Sequence, residues 1–424
     1  MSELSDLYDQ APYPEQAYEF THPGHLGAIA RLFGLDAAPA ATARICDIGC
    51  ASGSNLLWMA SHLPEAEFIG LDFSAVQIKA ARAAAKARGL SNVVFEQADL
   101  LDFDPGPREF DYIIAHGFFS WVPDPVKQAL LEFCHTHLAE RGVAFISYNC
   151  YPGWQVREGL RMLAQLEQDS LVGRQADPSA GLEKVLRFFE SARPAYAEAA
   201  HGALLDAEVR ALRAKRLDVV IHDELGLIND PCYFLQFADW ARECGLGYLA
   251  DADVLTNWPD AWPDALRKAL IGAGCDRLRI QQYLDFAANR KFRQSLLCRA
   301  ELPVRDQPDP LAVESMWVRS RLRADSSIQI SSKAQLAYYA DAPRSTPRKP
   351  DLLLDDALLQ SVLADLSQPL GRFQPVAKVL ERACAAAGSD AGDRRAALER
   401  LGLFMLTCQA QGWMELATMG RPCY

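Results

Sequence analysis

One short motif constrains the fold of this chain more than any other feature, namely Asp47-Ile-Gly-Cys-Ala-Ser-Gly53. It overlaps the end of an apolar run at 43–48, which predicts a buried strand, and it precedes a predicted helix at 55–62. Small residues in such a turn let the backbone reverse sharply and approach a ligand closely. The motif therefore indicates a ligand-binding turn between a strand and a helix of an α/β sheet.

The alternation of apolar runs with amphipathic stretches continues to about residue 150. Strands alternating with helices are typical of an α/β fold with a parallel sheet. The predicted strands are 43–48, 68–71, 93–95, 112–115 and 143–148, and the predicted helices are 55–62, 75–88 and 125–138.

The chain divides into five predicted regions, because Pro-rich stretches and changes in pattern separate them. Two later strands, at 246–250 and 295–299, are expected to complete the sheet as an antiparallel pair. The regions are an N-terminal lid and helix (1–35), the core sheet (36–154), a helical insert that completes the sheet (155–300), a linker with short strands (301–350) and a smaller helical or winged-helix domain (351–424).

Acidic residues are predicted at the ends of three successive strands, at Asp47, Asp72 and Asp99. The carboxyl ends of parallel strands form one crevice, so the three carboxylates would meet there. A carboxylate at 72 can hold the two hydroxyls of a ribose, and one at 99 can accept the adenine amino group. The spacing therefore predicts a nucleoside site.

The carboxylate beside the first glycine of the motif distinguishes between nucleoside cofactors. Asp47 would repel the pyrophosphate of a dinucleotide, whereas it suits a cationic amino-acid moiety. S-adenosylmethionine (SAM) carries a sulfonium and an ammonium group and has no phosphate. The motif therefore favours SAM over NAD.

Charge and hydropathy exclude several classes of protein. The net charge of −12 argues against a nucleic-acid partner, which would require a basic surface. No apolar run is long enough for a transmembrane helix, and the acidic N-terminus lacks the features of a signal peptide, so a cytoplasmic protein is expected.

The 11 scattered cysteines indicate reduced thiols, and no metal site is predicted. Asp251, Asp253 and Asp260 lack the spacing of a calcium loop and are expected to be solvated.

Residues 42–149 resemble class I SAM-dependent methyltransferases, which have a Rossmann-like sheet. The first motif, Asp72 and Asp99 match their cofactor positions, although Ala51 stands where many members have glycine. Further motifs resemble a subgroup that carries a methyltransferase regulatory domain, similar to bacterial protein-lysine methyltransferases of outer-membrane proteins. This resemblance covers about residues 8 to 300. Its motifs include Thr21-His-Pro23, His116-Gly-Phe-Phe-Ser-Trp-Val-Pro123, Tyr148-Asn-Cys-Tyr-Pro-Gly-Trp154 and Asn229-Asp-Pro231.

The resemblance implies SAM as cofactor, with S-adenosylhomocysteine as product, and a set of residues that contact it. Tyr8 and Tyr13 lie in an irregular aromatic segment that we expect to close over SAM as a lid. The implied cofactor residues are Asp47, Gly49, Cys50, Ala51, Gly53, Asn55, Asp72, Phe73, Gln77, Ala98, Asp99, Leu100, His116, Phe118 and Tyr8.

Methyl transfer requires an acceptor held in line with the S–CH3 bond in a site sheltered from water. A lysine acceptor must also be neutral, which costs about 4.6 kcal/mol at pH 7 unless an apolar, aromatic pocket lowers its pKa. Residues near the strand ends supply such groups. The predicted catalytic residues are His116, Tyr148, Asn149 and Tyr151, and the predicted substrate-binding residues are Trp121, Trp154, Tyr13 and His22.

Some of these side chains also have structural interpretations. His116 is either a proton acceptor, a neighbour of the cofactor or a hydrogen-bonded core histidine. Trp154 forms a wall of the acceptor site or anchors the helical insert, and Tyr151-Pro152 forms part of the site or is a turn.

The predicted function is methyl transfer from SAM to a nitrogen acceptor, most simply a protein lysine. The alternatives are a methyltransferase for a small molecule or a biosynthetic peptide, and a non-catalytic protein that senses SAM. The expected partners are a protein, peptide or small-molecule acceptor, without nucleic acid or membrane insertion, and the sequence is compatible with a homodimer.

Overall fold

The computed structural model describes residues 16–169, 179–215, 226, 228–258, 262–324, 336–339, 352–367, 371–387 and 394–420. Its centre is a sheet of seven strands. These are β1 (Arg44–Ile48), β2 (Glu67–Asp72), β3 (Val93–Gln97), β4 (Phe110–Ala115), β5 (Leu138–Asn149), β6 (Leu246–Asp251) and β7 (Phe292–Arg299).

The strand order of the central sheet is β3-β2-β1-β4-β5-β7-β6. The first five strands pair in parallel, while β7 runs antiparallel to both β5 and β6. This confirms the predicted α/β sheet and its completion by an antiparallel pair. The order places the ends of β1, β2 and β4 next to one another, where polar residues follow each strand.

Helices connect and cover the strands. Their bounds are α1 (Pro23–Leu32), α2 (Ser54–His62), α3 (Ala75–Ala87), α4 (Asp124–His137), α5 (Trp154–Asp169), α6 (Ala180–Tyr196), α7 (Gly202–Ala214), α8 (Phe234–Glu243), α9 (Val254–Asn257), α10 (Asp264–Gly272), α11 (Arg277–Ala288), α12 (Ala357–Leu366), α13 (Val376–Ala387) and α14 (Arg394–Ala410).

The starts of β5 and α8 differ from the sequence prediction. The strand expected at 143–148 begins at Leu138, directly after α4, and pairs with β4 through a register shift between Phe110 and Tyr112. The helix expected to begin at Pro231 begins at Phe234 instead. The reason is that residues before it lie extended along β5, where the amide of Cys232 donates to the carbonyl of Asn149 at 3.2 Å.

The helical insert has a small core of its own, formed by leucine and valine side chains of α5, α6 and α7 such as Leu160, Leu186 and Val209. It is joined to the sheet where α5 follows the end of β5. The insert therefore stands at the edge of the sheet where the predicted acceptor residues lie.

A buried ion network joins β6, β7 and α11. The guanidinium of Arg293 lies 2.8 Å from a carboxylate oxygen of Asp285 and 3.1 Å from one of Asp251, and these three side chains are shielded from solvent. The prediction that Asp251 is solvated is wrong, because its strand pairs inside the sheet and turns the side chain toward this arginine. Asp253 is exposed, and Asp260 lies outside the described residues.

The C-terminal part contains α12, α13 and α14 and the strands β8 (Trp317–Ser320), β9 (Arg323–Ala324), β10 (Leu336–Tyr339), β11 (Leu352–Leu354), β12 (Gln374–Pro375) and β13 (Met414–Ala417). They form two three-stranded sheets, β12-β8-β13 and β11-β10-β9. The mostly helical character agrees with the prediction, while a winged-helix arrangement stays a prediction. In the described ranges, no helix is long and apolar enough to cross a membrane.

Candidate active site

The turn after β1 brings backbone amides and carboxylates together. The amide of Gly49 donates to the carbonyl of Leu71 at 2.8 Å, and the amide of Ala51 donates to Oδ2 of Asp72 at 2.9 Å. Gly49 has a φ of 74°, and a Cβ atom there would lie 2.7 Å from Cδ2 of Phe118. Ala51 also has a positive φ, of 48°, so the turn keeps its left-handed geometry at this position without a glycine.

Asp72 is fixed in place by the backbone at the end of β2. Besides accepting from Ala51, its Oδ1 accepts from the amide of Ser74 at 2.9 Å. A carboxylate can accept about four hydrogen bonds, so a carboxylate oriented in this way has the capacity to bind hydroxyl groups. Asp99, which follows β3, is held similarly by the amide of Leu101 at 3.1 Å from its Oδ1.

Asp47 is buried at the end of β1, and this burial raises its pKa to about 7. A hydrogen bond from Asn55 opposes the shift, whereas the negative charge of Asp72 adds to it. Asn55 in turn accepts from the amide of Tyr18 at 3.0 Å. A cation bound beside Asp47 would favour the charged carboxylate, so the site is electrostatically suited to an ammonium group.

These residues surround a cavity of about 210 Å³. Its described lining contains the three carboxylates of Asp47, Asp72 and Asp99 and contains no lysine or arginine. These negative charges fit SAM, whose sulfonium and ammonium groups are positive, and do not fit a pyrophosphate. The predicted cofactor residues in this lining are Asp47, Gly49, Cys50, Ala51, Asn55, Asp72, Phe73, Gln77, Ala98, Asp99, Leu100, His116 and Phe118.

The two other predicted cofactor residues are not in the lining. Gly53 is the N-cap of α2 and has a φ of 76°. A Cβ atom at this position would lie 2.5 Å from the ring of Phe95, so this glycine is required for the packing of the turn. Tyr8 lies outside the described residues, as does Tyr13.

His116 lines the cavity within a ring of aromatic side chains. Its Nδ1 lies 2.9 Å from the hydroxyl of Ser147, which also accepts from the amide of Gly117. The ring of Tyr18 packs edge-on at 4.2 Å between centroids, and that of Phe20 at 5.1 Å. Burial lowers the pKa of His116 to about 4, so the imidazole is neutral at pH 7. It can act as a neutral hydrogen-bonding wall of the site and is a weak base.

Tyr18 and Gln16 line the same cavity, and sequence reasoning did not single them out. The aromatic, proline-containing character of residues 8–20 was the available signal, because it indicated a segment that lies over another part of the protein. The segment does approach the cavity at Tyr18, but no local pattern predicts which tyrosine faces it.

Tyr148 does not reach the cavity, contrary to the predicted acceptor role. Successive residues of a strand face opposite sides of a sheet, so Ser147 faces His116 while Tyr148 faces the other side. There its ring stacks on Phe237 at 4.2 Å, and its hydroxyl lies 3.0 Å from that of Ser295. Burial raises the pKa of Tyr148 far above its ordinary value, so it is a neutral core side chain.

Asn149 lies beside the cavity, outside its described lining. Its amide donates to the hydroxyl of Ser120 at 2.9 Å, and Ser120 precedes Trp121, which does line the cavity. The side-chain Nδ2 of Asn149 donates to Oδ1 of Asn229 at 2.8 Å. The structure thus brings Asn149 next to the wall formed by Trp121.

Tyr151 and Trp154 lie further along the same connection. The hydroxyl of Tyr151 donates to Oε2 of Glu158 at 2.6 Å. Trp154 is buried at the start of α5, with the guanidinium of Arg157 5.6 Å from its ring. This position corresponds to the interpretation of Trp154 as an anchor of the insert.

His22 is the N-cap of α1 and lies outside the described cavity lining. Its Nδ1 accepts from the amide of Gly24 at 2.9 Å, and its Nε2 lies 3.0 Å from Nε2 of His62. The substrate-binding role predicted for His22 thus has no support from its position, because its ring caps the N-terminus of the helix that begins at Pro23.

Two family descriptions match separate parts of the chain. A "Methyltransferase domain" matches residues 45–142. A "Predicted methyltransferase regulatory domain" matches residues 217–299. The first range contains most of the cavity lining, and the second contains α8 to α11 and the antiparallel pair β6 and β7.

Two uncharacterized proteins of Rickettsia prowazekii are similar to this chain in sequence. One is 36% identical over 301 residues, which is 70% of this chain and 53% of that protein. The other is 34% identical over 240 residues, which is 56% of this chain and 94% of that protein. The chain therefore spans about half the length of the first relative and nearly all of the second.

A solved structure is similar to almost the whole chain. It is PKMT2 from Rickettsia typhi in complex with AdoHcy, with a TM-score of 0.83 and 27% sequence identity. The similarity covers 96% of this chain and 77% of that protein, so it includes the insert and the C-terminal part as well as the sheet.

Proposed function

Because this chain belongs to the class I SAM-dependent methyltransferases that carry a methyltransferase regulatory domain, we propose that it methylates lysine side chains of a protein acceptor. The cofactor of this family is SAM, which supplies an electrophilic methyl group on a sulfonium. The choice of lysine is supported by the resemblance of motifs such as His116–Pro123 and Tyr148–Trp154 to bacterial protein-lysine methyltransferases.

The observation that carries this proposal is the cavity at the ends of β1, β2 and β3. Asp47, Asp72 and Asp99 all line it. In this proposal Asp47 binds the ammonium of SAM, Asp72 holds the ribose hydroxyls, and Asp99 accepts from the adenine amino group. Each acid has a defined orientation from backbone or side-chain hydrogen bonds, so the site is organised before the cofactor binds.

The surroundings of His116 suit an acceptor that must lose a proton before it reacts. Aromatic rings and a neutral imidazole line this side, and an apolar environment lowers the pKa of a lysine amine. A neutral amine can then attack the methyl carbon while the S–CH3 bond breaks, and water takes the proton that the lysine released. His116 itself has too low a pKa to be an efficient base at pH 7.

Methyl-labelled SAM tests the proposal. Purified protein is incubated with a lysate of its host, and macromolecules are separated from small molecules before counting. Label in the protein fraction is expected, with an Asp72→Ala variant as the control that should transfer little. Label confined to the small-molecule fraction would favour the alternative small substrate, and no label despite SAM binding would contradict the proposed enzyme and favour a sensor.

A further inference from the structure

A row of aromatic rings begins at the carboxyl end of β5 and runs outward to solvent. The ring of Tyr151 lies 5.3 Å from that of Tyr233, measured between centroids. Tyr233 stacks on Phe286 at 5.9 Å with an interplanar angle of 5°. Phe286 is 54% exposed, although it is a large apolar side chain. The row therefore presents aromatic surface on the side where the acceptor residues were predicted.

Glu158 is a carboxylate at the inner end of this row. It is half-buried, and its Oε2 accepts from the hydroxyl of Tyr151. Burial, and then the hydrogen bond to Glu158 and its negative charge, raise the pKa of Tyr151, so the phenol stays a neutral donor to this carboxylate.

Cationic side chains of this region form ion pairs with other carboxylates. Arg157 pairs with Glu208 at 3.0 Å, and Lys127 pairs with Asp124 at 3.0 Å and also with Asp230. Throughout the described ranges, no lysine or arginine forms an ion pair with Glu158. The carboxylate is thus available to a cation that the described part of the chain does not supply.

A hydrogen-bonded segment connects this row to the cavity. The amide of Tyr151 donates to the carbonyl of Cys232 at 3.1 Å, and the amide of Asp230 donates to the carbonyl of Ser120 at 2.9 Å. Ser120 is followed by Trp121, which lines the cavity. The row is therefore linked through the backbone to the cavity wall that contains Trp121.

We propose that Glu158 and the rings of Tyr151, Tyr233 and Phe286 form an outer site that binds the acceptor lysine as an ammonium ion. The identity of this occupant rests on the proposed function. A carboxylate attracts an ammonium by ion pairing, and aromatic faces attract it by cation–π interaction. The net charge of −12 adds long-range attraction for a basic segment. The lysine then gives its proton to water as it moves toward the less polar surroundings of His116.

A peptide titration tests the outer site without requiring the natural acceptor. The probe is a synthetic glycine- and serine-rich peptide with one central lysine, and its counterpart has norleucine at that position. Each is titrated into full-length protein with S-adenosylhomocysteine, and chemical shifts give the Kd. We expect the lysine peptide to bind about tenfold more tightly than the norleucine peptide.

Three variants assign the effect to particular side chains. Glu158→Gln keeps an acceptor for Tyr151 but removes the charge, so it should weaken lysine-peptide binding about tenfold. Phe286→Leu keeps apolar bulk and should weaken it about threefold. Glu140→Gln is the matched control, because Glu140 is exposed near the start of β5, at the opposite end of that strand from Tyr151. It should bind as the wild type does, and melting temperatures report whether each variant is folded.

Two readouts separate the failure of the outer site from the failure of the proposed function. Equal peptide Kd values for wild type and a folded Glu158→Gln variant would overturn the outer site, even where lysate proteins are methylated. Absence of methyl transfer to lysine by the wild type would overturn the proposed function, while the charge-dependent peptide titration would still support the site. Equal binding of the lysine and norleucine peptides would also overturn the site.

Discussion

Asp47 combines burial with a proposed role that requires a negative charge. Burial raises its pKa to about 7, whereas Asn55 favours the charged form by a hydrogen bond. This balance leaves the carboxylate partly protonated near neutral pH until a cation arrives. At the scale of single residues, the cavity therefore carries negative charge that the positive groups of the cofactor would balance.

The affinity for SAM should depend on pH through Asp47. Since the ligand ammonium favours the charged carboxylate, the bound state has a lower pKa than the value of about 7 in the ligand-free protein. Lowering the pH from 7 to 6 should therefore raise the Kd for SAM about fivefold. Calorimetry at the two pH values measures this. Asp47→Asn should bind more weakly at both, with little pH dependence, and an equal pH effect in that variant would exclude Asp47 as the cause.

Asp72→Ala should raise the Kd for SAM about 100-fold, because two hydrogen bonds from ribose hydroxyls to a charged acceptor are lost. The same carboxylate accepts from Ala51 and Ser74, so the variant also disturbs the turn. Thermal melting without SAM measures separately how much the disturbed turn destabilises the protein. An unchanged calorimetric affinity would remove the ribose role.

Tyr151→Phe should lower methyl transfer about tenfold while changing the Kd for SAM less than twofold, because the phenol contacts Glu158 outside the cavity lining. Transfer is measured with labelled SAM, and affinity by calorimetry on the same preparation. Equal losses in transfer and affinity would instead make Tyr151 a cofactor residue.

At the scale of elements, the alternation of strands with helices and the positions of the strand ends were predictable from the sequence, because both depend on local patterns. The motif from Asp47 to Gly53 and the acids at 72 and 99 lie where the pattern placed them. The face on which Tyr148 lies was not predictable, because the register of β5 with β7 decides it and that pairing joins residues about 150 positions apart in the chain. The extended path before α8 depends similarly on its contact with Asn149.

The close packing of α14 on the segment at 310–315 predicts how substitutions of helix glycines change the stability of the protein. A Cβ atom on Gly402, within α14, would lie 2.0 Å from the carbonyl oxygen of Pro310. Gly402→Ala should therefore lower the free energy of unfolding by about 2 kcal/mol. Gly159→Ala, within α5 and without neighbours there, should raise it by about 0.5–1 kcal/mol. Chemical denaturation measures both, and a stable Gly402→Ala variant would contradict this packing.

At the scale of the whole molecule, the C-terminal part is continuous with the sheet. The amide of Thr418 donates to the carbonyl of Gly24 in α1 at 2.8 Å, and Trp258 donates to Thr407 at 3.2 Å. One hydrophobic core includes Ile29, Phe145 and Leu406. Sequence patterns divide the chain at proline-rich stretches, but they do not reveal such long-range packing, which forms only when distant faces meet.

The proposed reaction is transfer of a methyl group from SAM to a lysine nitrogen of a protein. The most direct measurement uses SAM with a trideuterated methyl group, a host lysate and peptide mass spectrometry of the modified proteins. We expect trideuteromethyl groups on lysine Nε, present with wild type and nearly absent with Asp72→Ala. Deuterated methyl groups on a different side chain, or on small molecules alone, would contradict it.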